Sequence, residues 1–175
     1  MLIYFAVPNG SSLFAQCDEM KENFSHENWG EPVLSGSPVL IPEITLRITK
    51  RDSSEGLAGA KVYLRYIWEH FILPYKDSPR GEWKSAYDVI SCTANKDGMV
   101  QFPEYNFVPR GWYKVPETNE RVPRFIDLEL SVEMDHFWIT QKQIKKIREK
   151  KQKRPIELKR PDGFVPPIKV EIIPQ

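Results

Sequence analysis

The sequence predicts a mainly β fold, an antiparallel Greek-key β-sandwich of about seven strands with one basic helix towards the C-terminal end. Apolar and polar residues alternate with a period of two in several short segments, as in strands that bury one face. The 15 prolines lie scattered between these segments, where they suit turns and strand ends. With 175 residues, of which 41% are hydrophobic and 28% charged, the chain can bury the core of one domain.

The predicted strands follow one another along the body of the chain, which we place at 41–175 as a single domain. Residues 87–93 and 99–102 are β-prone, and the Asp-Gly pair between them predicts a hairpin turn with Gly98 in the left-handed conformation. The period-two pattern itself covers 44–48, 62–68, 126–134 and 168–172. In the third of these segments the predicted buried side chains are Ile126, Leu128, Leu130, Val132 and Met134.

One helix is predicted, over 140–153. Thr140 can cap its start, and Ile144 and Ile147 form a narrow apolar stripe among polar and basic residues. Pro155 follows the pattern and ends it. We therefore expect a surface helix that leans on the sandwich along this stripe.

The first 40 residues are predicted to be a segment that precedes the sandwich. Residues 17–40 are polar and interrupted by glycine and proline, with one helical turn expected at 18–23. Residues 10–16 are similar to the end of a secretory signal, which would follow from a start codon assigned too late and cleavage after Ala15. The alternative is the first strand of a cytosolic protein. Export, to the periplasm or outside the cell, is the favoured expectation.

The two cysteines, Cys17 and Cys92, lack the paired spacing of a metal site. In an oxidising compartment they could form one disulfide, and otherwise they would remain thiols. The sequence leaves this pairing open.

Three short motifs follow in order within 42–134. They are Gly56-Leu-Ala-Gly59-Ala60-Lys-Val62-Tyr-Leu64, Thr93-Ala-Asn-Lys-Asp97-Gly98-Met-Val100-Gln-Phe102 and Gly111-Trp-Tyr113. Together they resemble motifs of the transthyretin-like, or carboxypeptidase-regulatory-like, modules, although Leu57 stands where that family often has proline. The resemblance implies a prealbumin-like sandwich in which Gly59 and Ala60 leave room where strands turn and Tyr113 packs at a sheet edge.

The same scaffold is used by two kinds of enzyme, and the residues that they need are replaced here. Intradiol dioxygenases have iron-binding histidines where this chain has Phe125 and Asp127, so a non-haem iron site cannot be assembled from the remaining ligands. The transthyretin-like hydrolases of purine breakdown need histidines and a Tyr-Arg-Gly-Ser-like tail, whereas this chain ends in Ile172-Ile-Pro-Gln175. An enzyme on this scaffold stays an alternative, without assigned catalytic residues.

Isolated titratable residues add no site. His26, His70 and His136 each lack a second histidine or cysteine at ligand spacing. The strand-face row formed by Asp127, Glu129 and Glu133 could bind Ca²⁺, but an ordinary solvated sheet face is the favoured interpretation. No metal and no cofactor are therefore predicted.

Residues 69–85 interrupt the strand pattern and are predicted to be a long aromatic insertion. Exposed aromatic side chains suit contacts with a protein or a glycan. The favoured alternative is that they form a small additional core beneath a loop. The candidate partner-binding residues are Trp68, His70, Tyr75 and Trp83.

Residues 142–160 contain ten lysines or arginines against two glutamates, whereas the rest of the chain has 15 basic and 22 acidic residues. Such a segment could bind a polyanion, or it could lie solvated against the acidic sandwich, which we favour. It lacks the interleaved aromatics of nucleic-acid sites, so nucleic acid is not an expected partner. The candidate anion-binding residues are Lys145, Lys146, Arg148, Lys150, Lys151, Lys153 and Arg154.

These patterns together favour a non-catalytic interaction or accessory module of an exported protein, with a protein or glycan as partner. No apolar run approaches the length of about 20 residues that a membrane-spanning helix needs. Polyanion binding through 142–160 and an enzyme on a prealbumin-like scaffold are the two alternatives.

Overall fold

The computed structural model describes residues 16–22, 34–72, 80–111 and 122–175. These residues are mainly β, as predicted, with the single helix α1 at Gln141–Arg148. The strands, in chain order, are β1 (Gln16–Cys17), β2 (Lys21–Glu22), β3 (Leu34–Ser35), β4 (Val39–Ile41), β5 (Ile44–Lys50), β6 (Lys61–Ile72), β7 (Glu82–Thr93), β8 (Met99–Phe102), β9 (Tyr105–Phe107), β10 (Arg110–Gly111), β11 (Arg124–Val132), β12 (Asp135–Ile139), β13 (Ile156–Glu157) and β14 (Ile168–Ile172).

The larger sheet is built around a long hairpin of β6 and β7. Its order is β1–β7–β6–β11–β12, and β2 pairs with the same edge of β7 as β1. A second sheet has the order β13–β14–β5–β8, and two short ribbons pair β4 with β9 and β3 with β10. Every strand pair is antiparallel. The seven-stranded Greek-key arrangement stays a prediction.

Both sheets bury alternate residues in one hydrophobic cluster. In the second sheet Ile44, Leu46 and Ile48 are fully buried, and in the larger sheet Tyr66 and Trp68 are fully buried as well. The period-two patterns at 44–48, 62–68 and 168–172 are thus confirmed as strands with one buried face. The predicted hairpin turn before β8 is also confirmed, with Gly98 at φ 74°. A side chain at that position would collide with the carbonyl oxygen of Ile48.

The predicted strand over 126–134 is shifted, because it runs from Arg124 to Val132. A β-bulge between Phe125 and Asp127 changes the alternation, so that Phe125 is buried and Ile126 only half-buried. Met134, predicted to be buried, lies in the following turn and is 89% exposed. The turn has only two residues and places Glu133 at φ 53°, after which the chain returns as β12, a strand that the sequence did not predict.

The predicted long insertion at 69–85 is largely β-structure. Residues 69–72 and 82–85 extend the β6–β7 hairpin, with Phe71 opposite Trp83 and His70 opposite Lys84. The prediction of a loop over these residues was wrong because Pro74, Pro79 and Gly81 fall between the two paired runs and not within them. Residues 73–79, which include Tyr75, lie outside the described residues, as do 1–15, His26 and Tyr113.

The predicted lead-in segment also forms strands. The helical turn expected at 18–23 was wrong, because β1 and β2 are extended and pair with the edge of β7. The helix prediction was too long, since α1 ends at Arg148 and Lys150 already has φ 51°. Its capping by Thr140 and the burial of Ile144 and Ile147 are confirmed, and Gln143 completes a capping box.

A disulfide links Cys17 to Cys92. The two residues are direct partners in the β1–β7 ladder, so the bond ties the first described strand to the central hairpin. The carboxylate of Asp18 accepts a short hydrogen bond from Ser91 and lies 3.3 Å from the ammonium of Lys61. The cysteine pairing that the sequence left open is thus formed as a disulfide.

Candidate basic cleft

A cleft of about 610 Å³ lies between helix α1 and the start of β11, and we call it the basic cleft. Three separate segments form its walls, namely 37–39, 122–125 and one face of α1. The lining residues are Ser37, Val39, Val122, Pro123, Arg124, Phe125, Gln141, Lys142, Ile144, Lys145 and Arg148.

The helix wall follows from the spacing of residues in α1. Gln141, Ile144, Lys145 and Arg148 are three or four positions apart and so share one face of the helix. Ile144 is 4% exposed and packs in the hydrophobic core beneath the cleft, whereas the cationic side chains are exposed. The helix wall therefore contributes mainly positive charge to the cleft.

The helix start is fixed to the edge of β11 where the β12 pairing stops. β12 pairs with β11 only from Leu128 onwards, which leaves the backbone edge before it without a strand partner. The side-chain amide of Gln141 donates hydrogen bonds to the carbonyl oxygens of Phe125, at 3.2 Å, and of the bulge residue Ile126, at 2.7 Å. The backbone N–H of Gln141 donates to the carboxylate of Asp127 at 2.8 Å. These bonds hold two walls of the cleft together.

The third wall depends on a close backbone approach. A side chain at Gly36 would collide with the carbonyl oxygen of Pro123, so only glycine allows the two segments to meet there. The N–H of Gly36 donates to the carbonyl oxygen of Pro109 at 2.8 Å, and β4 then continues in register with β9. This path brings Ser37 and Val39 to the cleft.

Four cations line the cleft beside the apolar floor formed by Val39 and Val122, and no aspartate or glutamate lines it among the described residues. Arg124 lies 3.0 Å from Glu69 and stacks over the ring of Trp83, 4.9 Å from its centre. Lys145 lies 3.9 Å from Glu149, on a side-chain pair that is mostly exposed. Within the described part of the chain, Lys142 and Arg148 form no ion pair. The cleft thus has an excess of positive charge.

Asp127 is a carboxylate at the junction of β11 and the helix start. Partial burial raises its pKa above the usual range, and the hydrogen bond from the Gln141 N–H opposes that effect. The carboxylate is thus used by the helix start and does not line the cleft.

Two of the seven predicted anion-binding residues line the cleft. Lys145 and Arg148 line it, whereas the other five, all exposed, lie outside it, at Lys146, Lys150, Lys151, Lys153 and Arg154. Two lining cations were not among the predicted residues. Lys142 could have been found from its place in the basic segment, but no sequence signal brings Arg124 to the cleft, because the cleft forms only in the tertiary structure.

The predicted aromatic surface is mostly core. Trp68 is fully buried and its indole N–H donates to the carbonyl oxygen of Arg110 at 2.9 Å, while His70 is 4% exposed. Trp83 is half-buried, packs edge-on against Phe71 and supports Arg124 beside the cleft. Trp68 belongs to the main hydrophobic cluster, so it forms neither an exposed contact surface nor a separate core beneath a loop.

Two members of the predicted carboxylate row have partners, since Asp127 accepts a hydrogen bond from the N–H of Gln141 and Glu129 contacts two side chains. Glu129 lies 2.7 Å from Nδ1 of His136 and 3.4 Å from Arg65. The hydroxyl of Ser131 contacts the same Nδ1 at 3.0 Å and accepts a hydrogen bond from Arg65. A serine–histidine–carboxylate relay needs the acid and the serine on different ring nitrogens. This arrangement therefore stabilises the sheet face and does not form a catalytic triad.

Exposed apolar residues occur at the opposite end of β11. Met134 is 89% exposed, and Phe164 and Val165 are 59% and 65% exposed. At this end of the sheet, Arg160 forms ion pairs with Asp135, at 2.5 Å, and with Asp162. Here two carboxylates surround one cation, in contrast to the basic cleft.

Among the described residues, no three histidine, cysteine, aspartate or glutamate side chains are grouped as ligands for a metal ion. In the same part of the chain, no helix has the length and hydropathy to cross a membrane. Comparison with known proteins finds no matching protein family, no similar curated protein and no similar solved structure.

Proposed function

We propose that this chain is a non-catalytic interaction module of an exported protein and that it acts by binding an anionic ligand in the basic cleft. The observation that carries the proposal is the group of four lining cations, Arg124, Lys142, Lys145 and Arg148, beside apolar surface, with no carboxylate among the described residues that line the cleft. Such a cleft favours a ligand that has both negative charge and apolar groups.

The rigidity of the walls supports a binding role. Three hydrogen bonds of Gln141 fix α1 on β11, and the Gly36 approach fixes the third wall. A site held in this way loses little conformational entropy when a ligand binds. Its volume of about 610 Å³ falls within the range of about 300–1,000 Å³ that is typical of ligand sites.

Export is supported by the Cys17–Cys92 disulfide, because such bonds persist in oxidising compartments. The prealbumin-like Greek-key arrangement is part of the same proposal. It is supported by two antiparallel sheets with a common core and by the positive φ of Gly59 and Gly98 at the motif glycines. The resemblance to transthyretin-like modules gives the expectation that these turns lie between sandwich strands.

The binding role is tested with 8-anilinonaphthalene-1-sulfonate, a small probe that combines an aromatic body with one negative charge. Its fluorescence is titrated with the folded wild-type protein and with the variant Lys142→Glu/Lys145→Glu. The matched control is Lys146→Glu/Lys153→Glu, which makes the same charge change on exposed positions outside the cleft. Circular dichroism and melting curves establish that all three proteins are folded.

We expect saturable binding to the wild-type protein, a loss of at least about tenfold in affinity for the cleft variant, and a much smaller loss for the control. Equal losses in the two variants would mean that net charge alone attracts the probe. That result, or no binding to the wild-type protein, would contradict the proposed site.

A further inference from the structure

We propose that the ligand of the basic cleft is an extended acidic segment of a partner protein, in which apolar and acidic residues alternate. This inference rests on the proposed function, since it names the occupant of the same cleft. Three features of the cleft support it, namely the spacing of the cations, the apolar floor and the balance of charge.

The helix wall presents a regular row of cations. Lys142, Lys145 and Arg148 follow at intervals of three residues, so they are spaced by about 4.5 Å along the axis and span about 9 Å. In an extended peptide, alternate side chains point to the same side and lie about 6.6–6.8 Å apart. Two carboxylates at alternate positions therefore fit within the reach of this row of flexible side chains.

The opposite wall and the floor complete the fit. Arg124 lines the cleft from the start of β11 and adds positive charge there, while its guanidinium donates hydrogen bonds to Glu69 at 3.2 and 3.0 Å and stacks on Trp83. Between the walls, the half-buried Val39 and Val122 present apolar surface. In an alternating peptide, the side chains between the acidic residues point towards such a floor.

The charge balance favours a peptide over a small ligand with one charge. Glu69 and Glu149 pair with Arg124 and Lys145, so Lys142 and Arg148 are the lining cations without an ion pair among the described residues, and a single anionic group would leave one of them unmatched. A nucleic acid would supply enough charge, but its backbone has no apolar group for the floor, and the cleft's one aromatic side chain, Phe125, is 8% exposed and cannot stack freely with a base. The alternating acidic peptide matches both features.

The test uses two synthetic peptides of equal length and charge. In one, glutamate alternates with leucine, and in the other glutamate alternates with serine. Each is labelled with a fluorophore and titrated with the wild-type protein, with Lys142→Glu/Lys145→Glu and with the control Lys146→Glu/Lys153→Glu. Fluorescence anisotropy measures the affinities, and a duplex DNA of the same label is titrated in parallel.

We expect the glutamate–leucine peptide to bind the wild-type protein at least about tenfold more tightly than the glutamate–serine peptide, because only leucine places apolar surface on the floor. We also expect the cleft variant to lose at least about tenfold in affinity for it, with little change in the control. Affinity should fall as salt increases, because the pairs lie near solvent.

Two results would overturn the inference. Equal affinity for the two peptides would mean that the apolar floor does not contribute to binding. DNA binding that is weakened in Lys146→Glu/Lys153→Glu would indicate that a polyanion binds the exposed basic face instead. If the sulfonate probe still depends on Lys142 and Lys145 in either case, the proposed function stands and only the peptide assignment fails. If neither the sulfonate probe nor either peptide binds the cleft variant more weakly than the wild-type protein, the proposed function and the peptide assignment both fail.

Discussion

Reduction of the Cys17–Cys92 disulfide should lower the free energy of unfolding substantially. The two cysteines are separated by 75 positions in the sequence. In the loop-closure description, a bond across a loop of that length removes about 15 cal/mol/K of entropy from the unfolded chain, which corresponds to about 4.5 kcal/mol at 25 °C. Native disulfides of small domains typically contribute about 2–5 kcal/mol, so we expect a loss in that range.

The assay is urea unfolding followed by tryptophan fluorescence, with and without a thiol reductant. The matched control is Cys17→Ala/Cys92→Ala, whose unfolding midpoint should not respond to the reductant. Alanine is the suitable replacement because Cys92 is 1% exposed and a serine hydroxyl would be buried there. Mass spectrometry after alkylation of the unfolded protein counts the free thiols in each sample.

Two outcomes would refute this reasoning. Alkylation of both cysteines in unfolded protein without reductant would mean that the bond is not formed. An unchanged midpoint after complete reduction would mean that the bond does not constrain the unfolded chain in the way that loop closure requires.

Three further predictions concern stability. Gly98→Ala should destabilise the protein more than Gly59→Ala in urea unfolding, because both glycines have φ 74° but only an alanine at 98 collides with neighbouring backbone; equal effects would contradict this. Tyr66→Phe should leave the midpoint unchanged or raise it, because the buried hydroxyl has no hydrogen-bond partner within the described part of the chain, and a large loss would contradict this. The hydrogen bond from Arg160 lowers the pKa of Asp162, so its stabilisation is present above the ordinary carboxyl pKa and is lost as pH falls through the folded-state pKa. Asp162→Asn should therefore lower the melting temperature at neutral pH, with a difference from the wild-type protein that shrinks in acid; a difference independent of pH would contradict this.

The strands that could be predicted are those whose alternation is complete and whose turns contain glycine. β5, β8 and β14 follow this rule, and Gly98 marks the turn before β8. β12 was missed although Phe137 and Ile139 alternate with more exposed residues, because its turn has Glu133 at positive φ instead of glycine or asparagine. The alternation in β11 misled at Ile126 because a bulge is invisible in the pattern of apolar residues.

The candidate site could be predicted only in part. The helix, its cap and two of its lining cations follow from local sequence, since Thr140, Lys145 and Arg148 act within one helix. The other walls depend on tertiary contacts between distant segments. Gly36 approaches Pro123, and Arg124 lines the cleft from β11, yet neither lies in a motif that indicates binding. The local charge pattern therefore predicted an anion-binding site over the whole basic segment, whereas the part of that segment that lines the cleft is one face of α1.

The most direct test of the central claim is to map the bound glutamate–leucine peptide on the protein by amide chemical shifts in a ¹H–¹⁵N spectrum. The account predicts saturable shifts at the cleft walls, at Val39, Phe125, Lys142 and Lys145. Shifts confined to the opposite end, around Phe164, or to the exposed residues 150–154, would contradict it.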